Sequence, residues 1–470
     1  MALWTEWFRC VLFLRSACSR KRTFMWLCLA LVGFSIRTDL LGVTSFVRSC
    51  FLRSEKYRRL LHLFHTPSLK LDKLTELWIL LVSKLFSPVT CHGHLVFIAD
   101  GLKAPKEGRK MPAVKALHQE SQDNSKPPFI MGHSFQAVGL LARSLLGSSL
   151  FCIPLASRIH EGLVWSNRDQ RTLLDKLVAL FLPITKFFRE KAMLLADAYY
   201  ASRKVILPLL REGHQMVTRV RSNSVAYHPA PKAKKKRQRG RPRTYGKKVR
   251  LRDFWKRSQD FLTASSPVYG ETHLQLRFFA IDLLWRPLGR LVRFVLVDHP
   301  TRGKIILMCT LPSLEPLEII ELYGYRFKIE VSFKQALHTL GTYSYHFWMM
   351  HMTPIRRRSG KQHLHHKSDE YRKMVKFKMA AYHRYVQLGC IAQGLLQYLS
   401  VAFGSRVWQH FNSWMRTMKL DQSPSEMVVG QSLRASLPNF LATMHEKHDL
   451  EKFIVENADL SRMPDLRLSA

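Results

Sequence analysis

The sequence predicts an α/β fold in which a mixed sheet flanked by helices is interrupted by a basic segment, with helical regions at both ends. Two apolar runs, at residues 94–101 and 193–198, each end on an aspartate, which is typical of buried strands in an α/β sheet. Apolar residues with helical spacing follow at 316–340. Residues 229–250 are rich in Lys and Arg and contain Gly and Pro, which indicates a linker or an exposed loop inside the fold.

The N-terminal region, residues 1–90, is predicted to be helical and basic. Residues 44–51 and 54–64 form two short periodic stretches, and Ser54 is a candidate N-cap for the second. Most of the basic side chains of the second stretch lie off its apolar face. A helix-turn-helix that binds DNA and a plain helical hairpin with a solvated basic face both fit this pattern.

The central elements follow in a regular order. Strands are predicted at 94–101, 129–141, 149–155, 193–198 and 215–221, with a helix at 169–191 between the third and the fourth. Past the basic segment, 291–297 and 304–310 form a predicted hairpin, and 341–470 are mostly helical. We therefore predict five regions: 1–90 helical and basic, 91–223 the first part of an α/β core, 224–312 a basic linker and insertion, 313–345 a helix that completes the core, and 346–470 a helical C-terminal region.

The charge of the chain points to a polyanionic partner. Lys and Arg number 74 against 34 Asp and Glu, a formal net charge of +40, and nucleic acid is the leading candidate. Apolar residues make up 47%, which excludes wholesale disorder. The eight cysteines include no C-x-x-C pair and no Cys/His cluster with zinc spacing, so a reduced cytosolic protein is expected.

One apolar stretch, residues 24–36, has two interpretations. It is too short to span a bilayer but long enough for the core of a signal sequence. A buried helix is the favoured reading, and a membrane-associated protein is the alternative.

The helix predicted at 316–340 carries the most informative polar pattern. Tyr323, Arg326, Glu330 and Lys334 recur at steps of three and four residues, which places them on one stripe beside the apolar face. A surface ladder of ion pairs would give the same pattern. Two aspartates favour a functional reading, because Asp100, Asp197 and Glu330 can converge at the C-terminal edge of a sheet and hold divalent ions. Asp282 and Asp298 rank as rival carboxylates, since they lie outside the expected core.

Tyr323-x2-Arg326-x3-Glu330 resembles the Y-x2-R-x3-E signature of bacterial insertion-sequence transposases with a DDE active site. The sequences IADG around Asp100 and LLADAYY around Asp197 also resemble the surroundings of the first two acidic residues in that family. The resemblance implies a ribonuclease H-like core with a mainly β insertion before the last catalytic helix. It also implies catalysis and metal binding by Asp100, Asp197 and Glu330, with two Mg²⁺ or Mn²⁺ ions.

The expected activity is cleavage at transposon ends and strand transfer into target DNA, by a homodimer assembled on paired ends. A cytoplasmic, nucleoid-associated protein with no membrane partner is implied. The residues expected to contact DNA or phosphate are Tyr323, Arg326, Lys334, Lys103, Arg239 and Arg241. The family often carries another Lys seven residues after the Glu, where this chain has Leu337. The alternative is a catalytically inactive, transposase-derived DNA-binding protein.

Overall fold

The computed structural model describes residues 3–119, 127–144, 149–231, 243–416, 418–442 and 449–462. The α-helices in these ranges are α1 (Leu3–Leu12), α2 (Lys21–Ile36), α3 (Thr44–Ser49), α4 (Lys56–His65), α5 (Leu71–Leu85), α6 (Leu173–Thr185), α7 (Arg203–Arg211), α8 (Pro316–Tyr325), α9 (Lys328–His338), α10 (Asp369–Ala402), α11 (Gly404–His410), α12 (Glu426–Ala442) and α13 (Asp449–Asn457). The strands are β1 (Ser87–Pro88), β2 (Thr90–Cys91), β3 (His94–Pro105), β4 (Lys115–His118), β5 (Phe129–Arg143), β6 (Leu150–Ile159), β7 (Leu163–Val164), β8 (Lys191–Ala196), β9 (Gln215–Val220), β10 (Val225–Pro229), β11 (Tyr245–Arg250), β12 (Leu262–Ser265), β13 (Gln275–Trp285), β14 (Arg290–His299), β15 (Gly303–Cys309) and β16 (Gln362–His363).

The chain forms two compact units. The first unit is assembled from Met1–Pro88, Gly101–Gln170 and Glu330–Ala470, and the second from Val89–Asp100 and Arg171–Ile329. The second unit contains most of the predicted core strands and the whole insertion.

A mixed sheet organises the second unit. β3 pairs in parallel with β8, and β8 pairs in parallel with β9. Beyond β9 the pairing is antiparallel, through β15, β14, β13, β10 and β11, with β12 on β13. Parallel strands need cover on both faces, and five consecutive residues of β8 are buried accordingly. The predicted hairpin is confirmed as β14 and β15.

Helix α6 covers the parallel part of this sheet. Thr172 and Asp175 form a capping box, which starts the helix at Leu173 rather than at the predicted residue 169. The ring of Phe181 packs edge-on against Phe97 of β3, with the ring centroids 5.6 Å apart. This packing fixes the strand that leads to Asp100.

In the first unit, the 34-residue helix α10 forms the centre of the core. Its residues from Ala381 to Val401 are almost all buried, glutamines included. Gln387 Nε2 donates to Leu155 O at 2.9 Å, and Gln397 Nε2 donates to Glu426 Oε1 at 3.0 Å. Because buried amides are costly unless paired, these bonds fix how β6 and α12 pack on α10.

The apolar run at 24–36 lies in α2 and is buried throughout, as the favoured reading predicts. Phe34 of this helix packs against the ring of Tyr385 in α10, with centroids 4.9 Å apart. Among the described helices, none alone is long and apolar enough to cross a membrane. The pair α10 and α11, bent by 100° between them, has the required length and apolar composition only when taken together.

The predicted cap of the second short N-terminal helix is wrong. α4 begins at Lys56 with Glu55 at the N-cap position, and no side chain caps it. The N–H groups of Lys56 and Tyr57 donate to the carbonyls of Arg53 and Ser54, so the backbone itself closes the first turn. The choice between a helix-turn-helix and a helical hairpin stays open.

The predicted continuous helix at 316–340 is broken in two. The N–H groups of Arg326 and Phe327 donate to carbonyls three residues back rather than four, at Tyr323 and Gly324. This tighter winding, next to a glycine of low helix propensity, ends α8 at Tyr325. Glu330 therefore lies on a separate helix, α9, and the predicted single stripe is divided between two elements.

Candidate active site

Two aspartates lie at one level of the parallel sheet in the second unit. The pairing of β3 with β8 aligns Ile98 with Leu195, and Asp100 and Asp197 each follow that pair by two residues, on the same face of their strands. Adjacent strands lie about 4.8 Å apart, so the same register continued over two more residues would place these two half-buried carboxylates side by side.

The local structure around the two aspartates differs. Asp197 follows β8 directly, which confirms the predicted strand end. The predicted strand end at Asp100 is wrong, because β3 continues to Pro105. The segment after Asp100 belongs to the first unit and stays extended beside β5, where Lys106 N donates to Met131 O at 2.9 Å.

Arg326 forms an ion pair with the first aspartate. Its Nη1 donates to Asp100 Oδ2 at 3.0 Å, and only 17% of the Arg326 side chain and 22% of the Asp100 side chain are exposed. Arg326 reaches this position because it immediately follows the last residue of α8. A guanidinium, which matches phosphate geometry, is thus fixed beside the carboxylate pair.

Tyr323 adds a protonated hydroxyl to the same group. Burial raises its pKa to about 12, with opposing influences from Arg326 and Arg219, which lower it, and from Asp197, which raises it. At neutral pH its hydroxyl is therefore a hydrogen-bond donor. The carbonyl of Asp197 is held in turn by Thr218, whose Oγ1 donates to it at 3.0 Å.

The insertion supports the end of α8. A Cβ added at Gly324 would lie 2.4 Å from Val268 Cγ1, so only glycine allows this close approach. Tyr269 OH donates to Gly324 O at 2.8 Å, and its ring packs edge-on against Phe327. The turn that carries Arg326 is therefore packed against the loop that precedes β13.

Glu330 and Lys334 lie on α9. Glu330 is half-buried in the first turn, and Lys334 is exposed one turn later. In the first unit, Gln393 anchors this helix through bonds of 3.0 and 3.1 Å from its Nε2 to the carbonyl and hydroxyl oxygens of Ser332. The convergence of Glu330 with Asp100 and Asp197 stays a prediction.

The remaining predicted contacts have different outcomes. Lys103 is exposed and donates to His118 O, which ties β3 to β4, and its role toward DNA stays a prediction. Arg239 and Arg241 lie outside the described residues. Among the rivals, Asp282 accepts two bonds from Arg293 on the neighbouring strand, at 2.8 and 2.9 Å.

Two residues of this cluster were not identified from the sequence. Thr218 and Arg219 fall in a strand predicted only from its alternating character, with no motif to mark them. Their signal is positional: β9 is the parallel neighbour of β8, so its C-terminal residues reach the same edge as Asp197.

The donor set fits a hard divalent cation. Asp100 and Asp197 supply carboxylate oxygens, which Mg²⁺ and Mn²⁺ prefer, and neither thiol nor imidazole is among the cluster residues described above. Arg326 and Arg219 add positive charge beside these carboxylates.

The mixed sheet with helical flanks is consistent with a ribonuclease H-like core, and it carries Asp100 on β3 and Asp197 just after β8, with Arg326 bonded to Asp100. Residues 30–268, just over half of the chain, match the family described as DDE superfamily endonuclease, and the chain belongs to this family. The matched range includes Asp100 and Asp197 and ends before Glu330. A search of curated proteins gives no match.

Membership confirms the predicted family and gives the chain a nuclease-type activity on DNA. DDE endonuclease domains use divalent metals, in agreement with the carboxylate pair.

Proposed function

We propose that this protein is a DDE transposase that cleaves DNA at the ends of its element and joins the freed ends to target DNA. The observation that supports this most strongly is the bond of Arg326 to Asp100, on a strand whose parallel pairing with β8 leads to Asp197. A ligand pair of this kind needs one further carboxylate to hold two ions, and Glu330 is the proposed third ligand.

The metal-binding residues would be Asp100, Asp197 and Glu330. Bound Mg²⁺ or Mn²⁺ supplies Lewis-acid activation of the attacking oxygen and stabilises charge on the leaving oxygen. Water is the first attacking group and the freed 3′-OH is the second, so one site serves both steps. No covalent bond between enzyme and DNA is needed.

The basic and phenolic side chains bind the phosphate. Arg326 keeps its bond to Asp100 and donates a further one to a phosphate oxygen when DNA enters, and the protonated hydroxyl of Tyr323 donates another. Lys334 and Lys103 contact flanking phosphates, as do Arg239 and Arg241 in the basic segment.

The assembly proposed is a homodimer on paired transposon ends, in the bacterial nucleoid. Residues 1–90 bind the terminal repeats, 91–223 and 313–345 supply the catalytic core, 224–312 form the insertion, and 346–470 form the C-terminal region. The exposed basic face of α4, with Arg58 and Arg59, supports the first assignment.

The test is metal-dependent nicking of DNA that carries the ends of the element. Asp100→Asn, Asp197→Asn and Glu330→Gln should each abolish cleavage while DNA affinity changes little. Asp298→Asn, which removes a carboxylate from β14, is the matched control and should cut normally. Normal cleavage by the three variants would refute the proposal.

A catalytically inactive, DNA-binding descendant is the second candidate, favoured by Leu337 at the position of a family lysine. In that case the wild-type chain binds DNA but nicks it with neither Mg²⁺ nor Mn²⁺. The variant Leu337→Lys, assayed in parallel, tests whether this single substitution restores DNA cleavage.

A further inference from the structure

A tight hairpin turn places a histidine beside a cysteine at the start of β3. Thr90 pairs with Leu95 and Cys91 with His94, which leaves His92 and Gly93 as the two turn residues. Both have positive φ, 45° and 74°, as a two-residue turn of this kind requires. Histidine tolerates this conformation better than most residues, yet asparagine is the usual choice there.

The turn faces the first turn of α8. His92 Nε2 lies 3.3 Å from Glu318 Oε2, and donor atoms of Cys91, His92 and Glu318 all lie within 4.8 Å of one another. All three residues belong to the second unit. The His92 and Glu318 side chains are 43% and 42% exposed, so solvent reaches one side of the cluster.

We propose that Cys91, His92 and Glu318 bind one Zn²⁺ ion. A thiolate, an imidazole and a carboxylate are the ligand types of protein zinc sites, and the thiolate disfavours Mg²⁺ and Ca²⁺. Solvent supplies the fourth ligand of the tetrahedron. The site escapes motif analysis because two ligands are adjacent and the third follows more than two hundred residues later.

Nearby carboxylates favour a cation at this position, and the N-terminus of α8 opposes it. Burial, together with the carboxylates of Glu318 and Glu321, raises the pKa of Cys91 to about 11, so a metal ion must displace the thiol proton to bind. A helix N-terminus is also an unfavourable place for a cationic side chain, so a bound dication is stabilised here by its ligands and not by the helix.

This would be a structural zinc site with no part in the proposed reaction. It joins the hairpin that begins β3 to the beginning of α8. β3 leads to Asp100 and α8 ends immediately before Arg326, the two residues that form the ion pair. Zinc bound where these two elements begin would hold them in register.

The experiment is a Co²⁺ titration of the chelator-treated, full-length protein, followed by displacement with Zn²⁺. Thiolate-to-cobalt charge-transfer absorption reports a cysteine ligand, which separates this site from carboxylate sites and from surface histidines such as those at 363–366. We expect one equivalent of absorbing Co²⁺, released by one equivalent of Zn²⁺.

Three variants identify the ligands. Cys91→Ser should abolish the absorption, and Glu318→Gln should weaken Zn²⁺ binding by about 100-fold or more. His92→Asn should do the same while leaving the metal-free protein at least as stable, because Asn-Gly suits this turn. Glu315→Gln, which alters the other member of the same capping box, is the matched control and should bind as wild type.

Absence of the charge-transfer band from the wild type would overturn the proposal. So would a band of full intensity in Cys91→Ser, or unchanged Zn²⁺ affinity in both His92→Asn and Glu318→Gln. Since none of these measurements uses DNA cleavage, they stand or fall separately from the transposase proposal.

Discussion

Arg326 is the residue that links the candidate site to phosphate chemistry. Its guanidinium is largely shielded from solvent and bonded to Asp100, so it is already oriented toward the carboxylates before DNA binds. Pre-oriented donors contribute to rate more than to affinity, because their orientation costs nothing at the moment of reaction.

Arg326→Ala should therefore lower the nicking rate by about 100-fold while DNA affinity falls less than about tenfold. Arg326→Lys should recover only part of the rate, because an ammonium cannot form the two parallel bonds of a guanidinium. Rates are measured with Mg²⁺, and affinities with Ca²⁺ in its place. Equal losses in rate and affinity would contradict a catalytic role.

Lys106 is a buried cation in the first unit, and it makes stability depend on pH. Only 5% of the residue is exposed, and its ammonium donates to the carbonyls of Tyr343 and Tyr345. Burial lowers its pKa to about 7. The unfolded chain keeps this proton up to about pH 10.4, so between these values the unfolded state binds more protons and stability rises with pH.

The free energy of unfolding of the wild type should thus increase relative to Lys106→Met by up to about 1.4 kcal/mol per pH unit above pH 7. Denaturant unfolding of both proteins between about pH 7 and pH 10 measures this difference. Parallel profiles for the two proteins would show that the ammonium keeps its ordinary pKa.

At the residue scale, the sequence marked Asp100 and Asp197 as candidates because carboxylates next to apolar strands are uncommon in so basic a chain. It did not identify Thr218 or Arg219, since their place beside Asp197 depends on which strand neighbours β8. It also missed Cys91, His92 and Glu318, whose proximity comes from the docking of a hairpin turn on α8.

At the scale of elements, the break between α8 and α9 matters most. Periodicity predicted one helix, because apolar spacing continues across the break. The first helix ends next to Gly324, where Val268 packs closely against the backbone. The spacing of apolar residues indicates neither the glycine nor this contact. The β14–β15 hairpin was predictable, since both strands and their turn are local in sequence.

Gly324→Ala should destabilise the chain by about 1–3 kcal/mol and slow cleavage, because its Cβ would clash with the stiff side chain of Val268. Adding Val268→Ala should recover part of both losses, since the two residues are in contact. Gly360→Ala is the control, because a Cβ there would meet no atom within 4 Å. Unfolding and nicking are measured for these three variants and for the wild type.

Equal stability of Gly324→Ala and Gly360→Ala would show that the end of α8 is not tightly packed by the insertion. Failure of Val268→Ala to compensate would instead place the strain elsewhere in the turn.

At the scale of the whole molecule, the net charge of +40 makes the affinity for DNA depend strongly on salt concentration. Each phosphate neutralised by a Lys or Arg makes affinity fall more steeply with salt. Eleven of these residues lie between Lys232 and Arg250, and of these Lys247 and Lys248 are exposed on β11.

Replacing Lys247 and Lys248 by Gln should reduce the slope of log affinity against log salt by up to about 1.8, with little change in the cleavage rate at saturating DNA. The paired control is Lys373→Gln with Lys452→Gln, two exposed lysines of the first unit. Slopes come from binding titrations at several salt concentrations. Identical slopes for the two double variants would exclude β11 from the DNA contact.

The fold class was predictable because each segment, taken alone, carries the apolar pattern of a strand or a helix. The division into units was not, since each is assembled from segments far apart in the chain. Asp100 and Asp197 belong to one unit and Glu330 to the other.

The proposed sharing of metal ions by Asp100, Asp197 and Glu330 is tested most directly by iron-directed cleavage of the chain. Fe²⁺ takes the place of Mg²⁺, and ascorbate with peroxide then breaks the backbone beside each ligand. We predict cuts near residues 100, 197 and 330, all suppressed by excess Mg²⁺ and all lost in Asp197→Asn. Cuts near 100 and 197 without one near 330, or a cut near 330 that persists in Asp197→Asn, would contradict a shared site.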